Sequence, residues 1–374
     1  MKKLAINIFA NLSLLITLLG ATIYGITYHP DAIESMPVSC AANAPLYDES
    51  QPLKVMSYNV QFFAGKNYTF YFDMPDNKGP DIRPSSKDIR LTLQGIAKLI
   101  REEAPDIVLL QEVHDGAKAT DHQDQLAKLQ NLLAEQAYPC STSAFYWQAD
   151  FVPHPNILGS VGMKLSTLSR FKLTHATRHQ LALQPMDIVS QQFYLKRAIL
   201  QTTMPSQQGK NWQLLNTHFD AFAQGSDTME RQVAYTHSLL AALDQQNLPW
   251  IIGGDFNLLP PNAYQELQQD QHYLYKPNTE LQKMLKDYSS IPSLTTTQSE
   301  DRAQWYTHLP NDFQVTEPDR TIDYLFYSAD LSSDKEKVLN QGAPLKLSDH
   351  FPVIAEFSIQ PNNRSQIQSS TQSK

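Results

Sequence analysis

Cysteine is scarce in this sequence: Cys40 and Cys140 are the only two in 374 residues. At most one disulfide can form, so no dense disulfide framework holds the chain together, and from sequence the two thiols either pair in an oxidising compartment or stay apart. Positive charge is scarce as well. Thirty Lys and Arg stand against 38 Asp and Glu, for a net charge of −8 and a pI near 5.7. This excludes a broad basic footprint for gripping a phosphate backbone, although not a local basic groove. Internal repeats and a second shift in composition are lacking too, so residues 53–360 read as one domain of ~300 residues. With 41% hydrophobic and 18% charged residues, no large disordered fraction is expected away from the ends.

What is present begins with residues 1–28, MKKLAINIFANLSLLITLLGATIYGITY, which carry Lys2 and Lys3 and then no charge through Tyr28. The apolar stretch is longer than a usual signal-peptide core and long enough to span a bilayer, and no small-x-small cleavage site follows at once. It reads as a signal anchor or a signal peptide, with the lysines on the cytoplasmic side. The rest of the chain is then extracytoplasmic, membrane-anchored or secreted. Residues 29–52 are polar, contain proline and show no sustained periodicity, as in a linker. Residues 361–374 read as a disordered tail.

Between these ends, strand-like apolar runs alternate with helical patterns. Ile89, Leu93, Ile96, Leu99 and Ile100 recur at helical spacing and stop before Pro105, after which DIVLLQEV reads as a buried strand. Asp227 and Glu230 have capping-box spacing ahead of a helix carrying Val233, Leu240 and Leu243. This rhythm predicts a mixed α/β fold with large buried sheets.

The run WIIGGDFNLLP, residues 250–260, puts Asp255 and Asn257 at the exit of a β-branched apolar strand. Alone, it suits an ordinary turn as well as a ligand site. The same grammar recurs, however. KVMSYNV ends at Asn59 and its neighbour, IVLLQEV carries Glu112, QLLNTHFDA carries His218 and Asp220, RTIDYLFYS carries Asp323, and LSDHFPVIAEF places Asp349 and His350 ahead of a strand. So many polar groups at strand ends need a common partner. Carboxylates with an asparagine amide and no cysteine suit Mg²⁺, Mn²⁺ or Ca²⁺ better than zinc. Two histidines among them suit acid–base work near neutral pH. The combination points to metal-assisted hydrolysis of a phosphate ester.

In order and spacing, SYNVQ, LLQEV, NTHFDA, GGDFN, IDYLFYS and LSDHFPV resemble the endonuclease/exonuclease/phosphatase superfamily of DNase I-like phosphoesterases, from about residue 54 to 358. The resemblance implies a four-layer sandwich, two mixed β-sheets face to face with helices outside, and a site at one sheet edge. It implies Mg²⁺ or Mn²⁺ as cofactor, with Glu112 the principal ligand and Asn59 and Asp349 beside the metal. Asp255 and Asn257 would orient the attacking water and hold phosphoryl oxygens. His350, oriented by Asp323, would face the phosphate, and His218 would be a second catalytic histidine. Arg197 and Arg320 read as salt-bridged scaffold, His114 as a loop histidine, and Asp220 as structural or catalytic.

The substrate is less legible. An aromatic insertion, with Phe62, Phe63, Tyr68, Phe70, Tyr71 and Phe72, either stacks bases, meets lipid, or folds onto its own cluster. The expected activity is hydrolysis of a phosphodiester in a lipid headgroup or in nucleic acid. A DNase I-like nuclease and an inactive binding protein of the same fold are the competing readings. The oligomeric state is not readable.

Overall fold

The computed structural model describes residues 2–74, 78–134, 137–221 and 223–360; the tail 361–374 lies outside them. Two seven-stranded mixed sheets pack face to face. The first has the spatial order β1 (Ile33–Met36), β7 (His175–Gln180), β8 (Ala198–Pro205), β9 (Asn211–His218), β10 (Trp250–Asp255), β12 (Asp323–Tyr327) and β11 (Ser289–Ile291). The second runs β13 (Leu331–Val338), β14 (Val353–Ile359), β3 (Leu53–Asn59), β4 (Ile107–His114), β6 (Gly159–Ser169), β5 (Cys140–Val152) and β2 (Val38–Cys40). Outside the second sheet lie α2 (Ser86–Glu103) and α3 (Gln125–Leu133), outside the first lies α5 (Thr228–Gln245), and α1 (Lys2–Ile26) precedes them all.

Period-two alternation builds the layers. On β3 and β4, Leu53, Val55, Ile107 and Leu109 face the other sheet, joined in one cluster by Leu214, Ile251 and Leu325. Their alternates Met56, Tyr58, Val108 and Leu110 pack on Ile89, Leu93, Ile96 and Ile100 of α2 and Leu129 of α3. Leu215, Trp250, Ile252 and Phe326 likewise meet Val233, Leu240 and Leu243 of α5. The central strands are therefore apolar on both faces, which is why they read as continuous runs. Ser85 caps α2 by accepting from Asp88 N–H, and Ala104 ends it in the left-handed region ahead of Pro105. Asp227 sits at the N-cap of α5 but makes no side-chain cap bond; its carboxylate lies 3.9 Å from Arg231 instead, so the predicted capping box does not form.

The glycines of the 250–260 run have distinct jobs. A methyl on Gly253 would stand 2.7 Å from Leu325 Cδ2 and 2.9 Å from Leu109 Cδ1, so its hydrogen sets how closely the sheets approach. A methyl on Gly254 would meet the Thr217 carbonyl oxygen at 2.1 Å.

Residues 29–52 are not a free linker. β1 pairs with β7, Ile33 opposite His179, and β2 pairs with β5, Cys40 opposite Cys140. The segment thus supplies an edge strand to each sheet. It lacked a sequence signal because its strands are three or four residues long and only half-buried. The two cysteines form a disulfide that closes 100 residues of chain. Closing a loop of that length restricts the unfolded ensemble, so replacing both cysteines with serine is expected to lower stability by about 2–5 kcal/mol, read from urea melts of oxidised wild type against the variant. Superimposable melts would show that the bridge does not form.

Candidate active site

The inter-sheet stripe of each central strand turns polar at one end. Leu53 and Val55 are followed by Ser57 and Asn59, Ile107 and Leu109 by Gln111, Trp212 and Leu214 by Asn216 and His218, and Ile251 and Gly253 by Asp255. β3, β4, β9 and β10 finish at this edge, and β12, antiparallel to β10, starts there with Asp323 opposite Asp255. Glu112 departs from the alternation. A β-bulge shifts the β4–β6 register between Leu110 and Val113, and Glu112 takes φ 59°, which re-aims its carboxylate into the cleft.

Asp255 is the hub. Its Oδ2 accepts from Asn59 Nδ2 at 3.0 Å, lies 3.2 Å from His218 Nε2 and 3.6 Å from His350 Nε2. Its Oδ1 accepts from Asn257 N–H at 2.9 Å. Burial pushes the Asp255 carboxyl up to about 7; the Asp323 and Glu112 charges add to the rise and His350 opposes it. The far nitrogen of His350, Nδ1, sits 2.9 and 3.1 Å from the two oxygens of Asp323. Burial alone would depress His350, but Asp323 and Asp255 outweigh it and hold the imidazole protonated, its pKa well above the ordinary value. Asp323 is fixed in turn: Thr307 Oγ1 accepts from the Ile322 and Asp323 N–H groups at 3.0 Å each.

His218 has the opposite character. Burial and the positive charges of Arg197 and His350 push it well below the usual imidazole range. A neutral ring donates from Nε2 to Asp255 and accepts at Nδ1 from the Tyr146 hydroxyl, 3.2 Å away, whose pKa burial lifts well above 10. Two histidines at one carboxylate thus carry different charges, set by their partners.

Asn59 donates its amide to Glu112 Oε1 at 3.0 Å as well as to Asp255, while its Oδ1 accepts from Gln61 N–H. In this arrangement Asn59 orients the two carboxylates, its own oxygen being engaged elsewhere. Asn257 takes φ 50°, a region asparagine tolerates, and donates to Phe219 O at 3.2 Å, leaving its second N–H for another acceptor. Asp349 accepts from Asn311 at 3.1 Å and from Ser348 at 3.2 Å.

Chelating atoms gather in three overlapping groups, Glu112 with His218 and Asp255, Asp255 with Asp323 and His350, and Asp349 with His308 and His350, each within 4.8 Å. Partial burial and the Asp349 charge raise the Glu112 carboxyl. Four acids concentrated in this way fit a hard divalent cation, which would relieve their mutual repulsion. Glu112 and Asp349, which fall in different groups, could each offer it a carboxylate oxygen, with Asn59 aligning Glu112.

All eight predicted residues therefore meet at one edge. Sequence reading missed Tyr146, His308 and Thr307. His308 stacks obliquely on His350, ring centroids 4.5 Å apart, with no hydrogen-bond partner on Nδ1 among the described residues. It belongs to no strand-end motif, so nothing in the local pattern marked it. Asp220 lies 3.6 Å from Arg197 and accepts from Gln232, beside the site. Arg320 is held by Asp319, and His114 is buried against Phe62. The aromatic insertion folds on itself: Phe62, Phe63 and Phe70 are buried, and Tyr68 and Phe72 stack on Phe70.

Known structures show the same architecture. An endonuclease/exonuclease/phosphatase from Beutenbergia cavernae DSM 12333 is 22% identical over 83% of this chain and 72% of its own, with a TM-score of 0.57. The human Nocturnin catalytic domain, solved with a bound sulfate anion, is 18% identical over 87% and 97%, with a TM-score of 0.50. A mannosyl-6-phosphatase of Bacteroides thetaiotaomicron VPI-5482 is 16% identical over 82% and 100%, with a TM-score of 0.50. At such identities the likeness establishes the fold. No protein in the curated set matches the sequence. The family model described as Endonuclease/Exonuclease/phosphatase matches residues 56–350, a span holding every residue of the cluster, and the chain belongs to that family, whose members are hydrolases acting on phosphoester bonds.

Proposed function

We propose that this protein is a divalent-metal-dependent phosphodiesterase acting outside the cytoplasm, with Asp255 as the base that takes a proton from the attacking water. The observation that carries this reading is the hub itself, one buried carboxylate with a proton affinity near neutrality set between a neutral and a protonated imidazole. A base poised near working pH is what general-base catalysis needs. Asn59 and Asn257 N–H hold the carboxylate, so its orientation is fixed before substrate arrives.

His350, kept cationic by Asp323, places positive charge against the phosphoryl oxygens as the fifth bond forms. His218, neutral, donates its Nε2–H to Asp255 and so helps hold the base in place. Asn257 offers its spare amide hydrogen to the phosphoryl group. Mg²⁺ or Mn²⁺ at Glu112 and Asp349 would supply further charge neutralisation for the phosphate.

The compartment rests on two features. α1 is 25 residues long and carries no charge after Lys3, enough to cross a bilayer, and the Cys40–Cys140 bridge suits an oxidising environment. The sulfate carried by the Nocturnin domain is a tetrahedral oxyanion like the group expected here.

The test is a substrate panel with the full chain and Mg²⁺ or Mn²⁺: a soluble chromogenic diester, phospholipid vesicles, plasmid DNA, RNA and inositol phosphates. The reading predicts turnover of the soluble diester and of a lipid diester. Efficient nicking of plasmid with no lipid turnover would assign the protein to nucleic acid. Inertness toward the whole panel would leave it a binding protein.

A further inference from the structure

We infer that the catalytic edge of the sandwich rests on the membrane surface, so that the phosphoester it hydrolyses belongs to a lipid of that bilayer. The inference rests on the phosphoesterase reading for the chemistry, and on strand direction for the placement.

β5 runs parallel to β4, because each is antiparallel to β6. Met163 of β6 pairs with both His114 of β4 and Trp147 of β5, so Trp147 is level with the Glu112–His114 end of β4. Residues 148–152 then project roughly 15 Å past that level at ~3.3 Å per residue. Thr27, next to the last residue of α1, bridges Ala149 on this projection. The apolar helix therefore leaves the domain within roughly 10 Å of the height of the site. A free linker of 24 residues would have allowed up to ~80 Å. Tyr28 secures the junction: its hydroxyl donates to Glu34 at 3.0 Å, and the Arg178 guanidinium lies 5.5 Å from its ring. α1 itself buries none of its residues in the domain.

The first sheet delivers its loops to the same edge. β8 is antiparallel to β9 and β7 antiparallel to β8, so the 181–197 connection, with its short helix α4 (Ile188–Phe193), emerges beside the His218 end of β9. β1 also starts at this edge, Ile33 opposite His179. α1, β1 and α4 all touch β5, so three segments near the α1 exit carry apolar side chains in the open. Ile188 is 85% exposed, Ile33 62% and Leu158 52%, and Val189, Met186 and Phe151 are exposed with them. An uncovered apolar ring around a membrane-length helix has one natural occupant, the lipid interface. Docking of that ring turns the catalytic edge toward the headgroup layer, with the 148–158 hairpin entering the interface ahead of it.

The experiment uses the full chain in phosphatidylcholine–phosphatidylglycerol vesicles containing doxyl-labelled lipid. Tryptophan reporters are placed by Ile188→Trp and Leu158→Trp at the catalytic edge and by Gln208→Trp in the exposed turn after β8, at the opposite end, each read as the quenching added over wild type, which carries Trp147, Trp212, Trp250 and Trp305. The expected result is quenching at 188 and 158 about twofold or more above that at 208. A combined Phe151→Ser, Leu158→Ser, Ile188→Ser, Val189→Ser chain is expected to lose about tenfold in turnover of vesicle phospholipid while keeping its rate on the soluble diester. Equal quenching at all three reporters overturns the docking whatever the activity. Soluble-diester turnover with no vesicle turnover overturns the lipid assignment. Quenching at the edge with no hydrolysis of either ester would leave the docking standing and remove the phosphoesterase reading instead.

Discussion

Replacing His350 with Ala, or Asp323 with Asn, is expected to lower kcat on the order of 10²-fold or more, and the two changes together to cost little beyond the worse single. The reason is the 2.9 Å contact between His350 Nδ1 and Asp323 Oδ2. Burial favours the neutral ring; the Asp323 carboxylate reverses that and fixes which nitrogen faces the substrate. Asp323→Asn removes the charge that keeps the imidazole cationic, and His350→Ala removes the cation itself, so the same charge toward the phosphate is lost either way. A double-mutant cycle on kcat, with folding verified by thermal melts, measures the coupling. As a reference, Lys98→Ala, on the exposed face of α2 and 3.6 Å from Glu102, should combine with Asp323→Asn without interaction. Losses at Asp323 and His350 that simply multiply would show that the two act separately.

Removing the metal is the second large effect. Chelation should abolish hydrolysis and Mg²⁺ or Mn²⁺ should restore it, whereas Glu112→Gln should stay inactive at concentrations that saturate the wild type. Melting curves separate this from a folding defect. A cation that binds only the folded state stabilises it by about 2.7 kcal/mol at a hundredfold excess over Kd, so wild-type Tm should climb with Mg²⁺. In the metal-free protein the Glu112 carboxyl is already pushed toward its neutral form by burial and by Asp349. Glutamine is therefore expected to melt at or above the wild-type temperature without metal, and to show little further rise with it. A metal-dependent Tm rise undiminished in Glu112→Gln would move the cation to another set of ligands.

The sequence showed the site more clearly than its surroundings. Strands buried on both faces leave an unbroken apolar signature, and Asn59, Glu112, His218, Asp255 and Asp323 interrupt it where each strand meets the cleft. Asp349 and His350 were found by the same rule read in reverse, ahead of β14. Partners that reach the cluster from elsewhere left no such mark. Tyr146 lies mid-strand on β5 as one aromatic among several, and only the packing of the two sheets brings its hydroxyl to His218. The carboxylate partner of His218 is Asp255, a residue already noticed for another role. Residues 29–52 looked like a tether because edge strands of three or four half-buried residues show too few alternations to register a period. Pairing between Cys40 and Cys140 depends on β2 lying beside β5, a contact across 100 residues that spacing alone does not encode.

The most direct test of the account is hydrolysis of a soluble chromogenic phosphodiester by Asp255→Asn protein at saturating Mg²⁺, beside wild type with and without chelator. Asparagine keeps the size of the side chain and, through Oδ1, its contact with Asn257 N–H, but it cannot take a proton and its amide meets the Asn59 amide donor to donor. The account predicts a fall in kcat on the order of 10³-fold, within the range that removal of a positioned base produces, with the Mg²⁺-induced rise in Tm retained. Wild-type turnover by Asp255→Asn, or wild-type turnover in excess chelator, would contradict it.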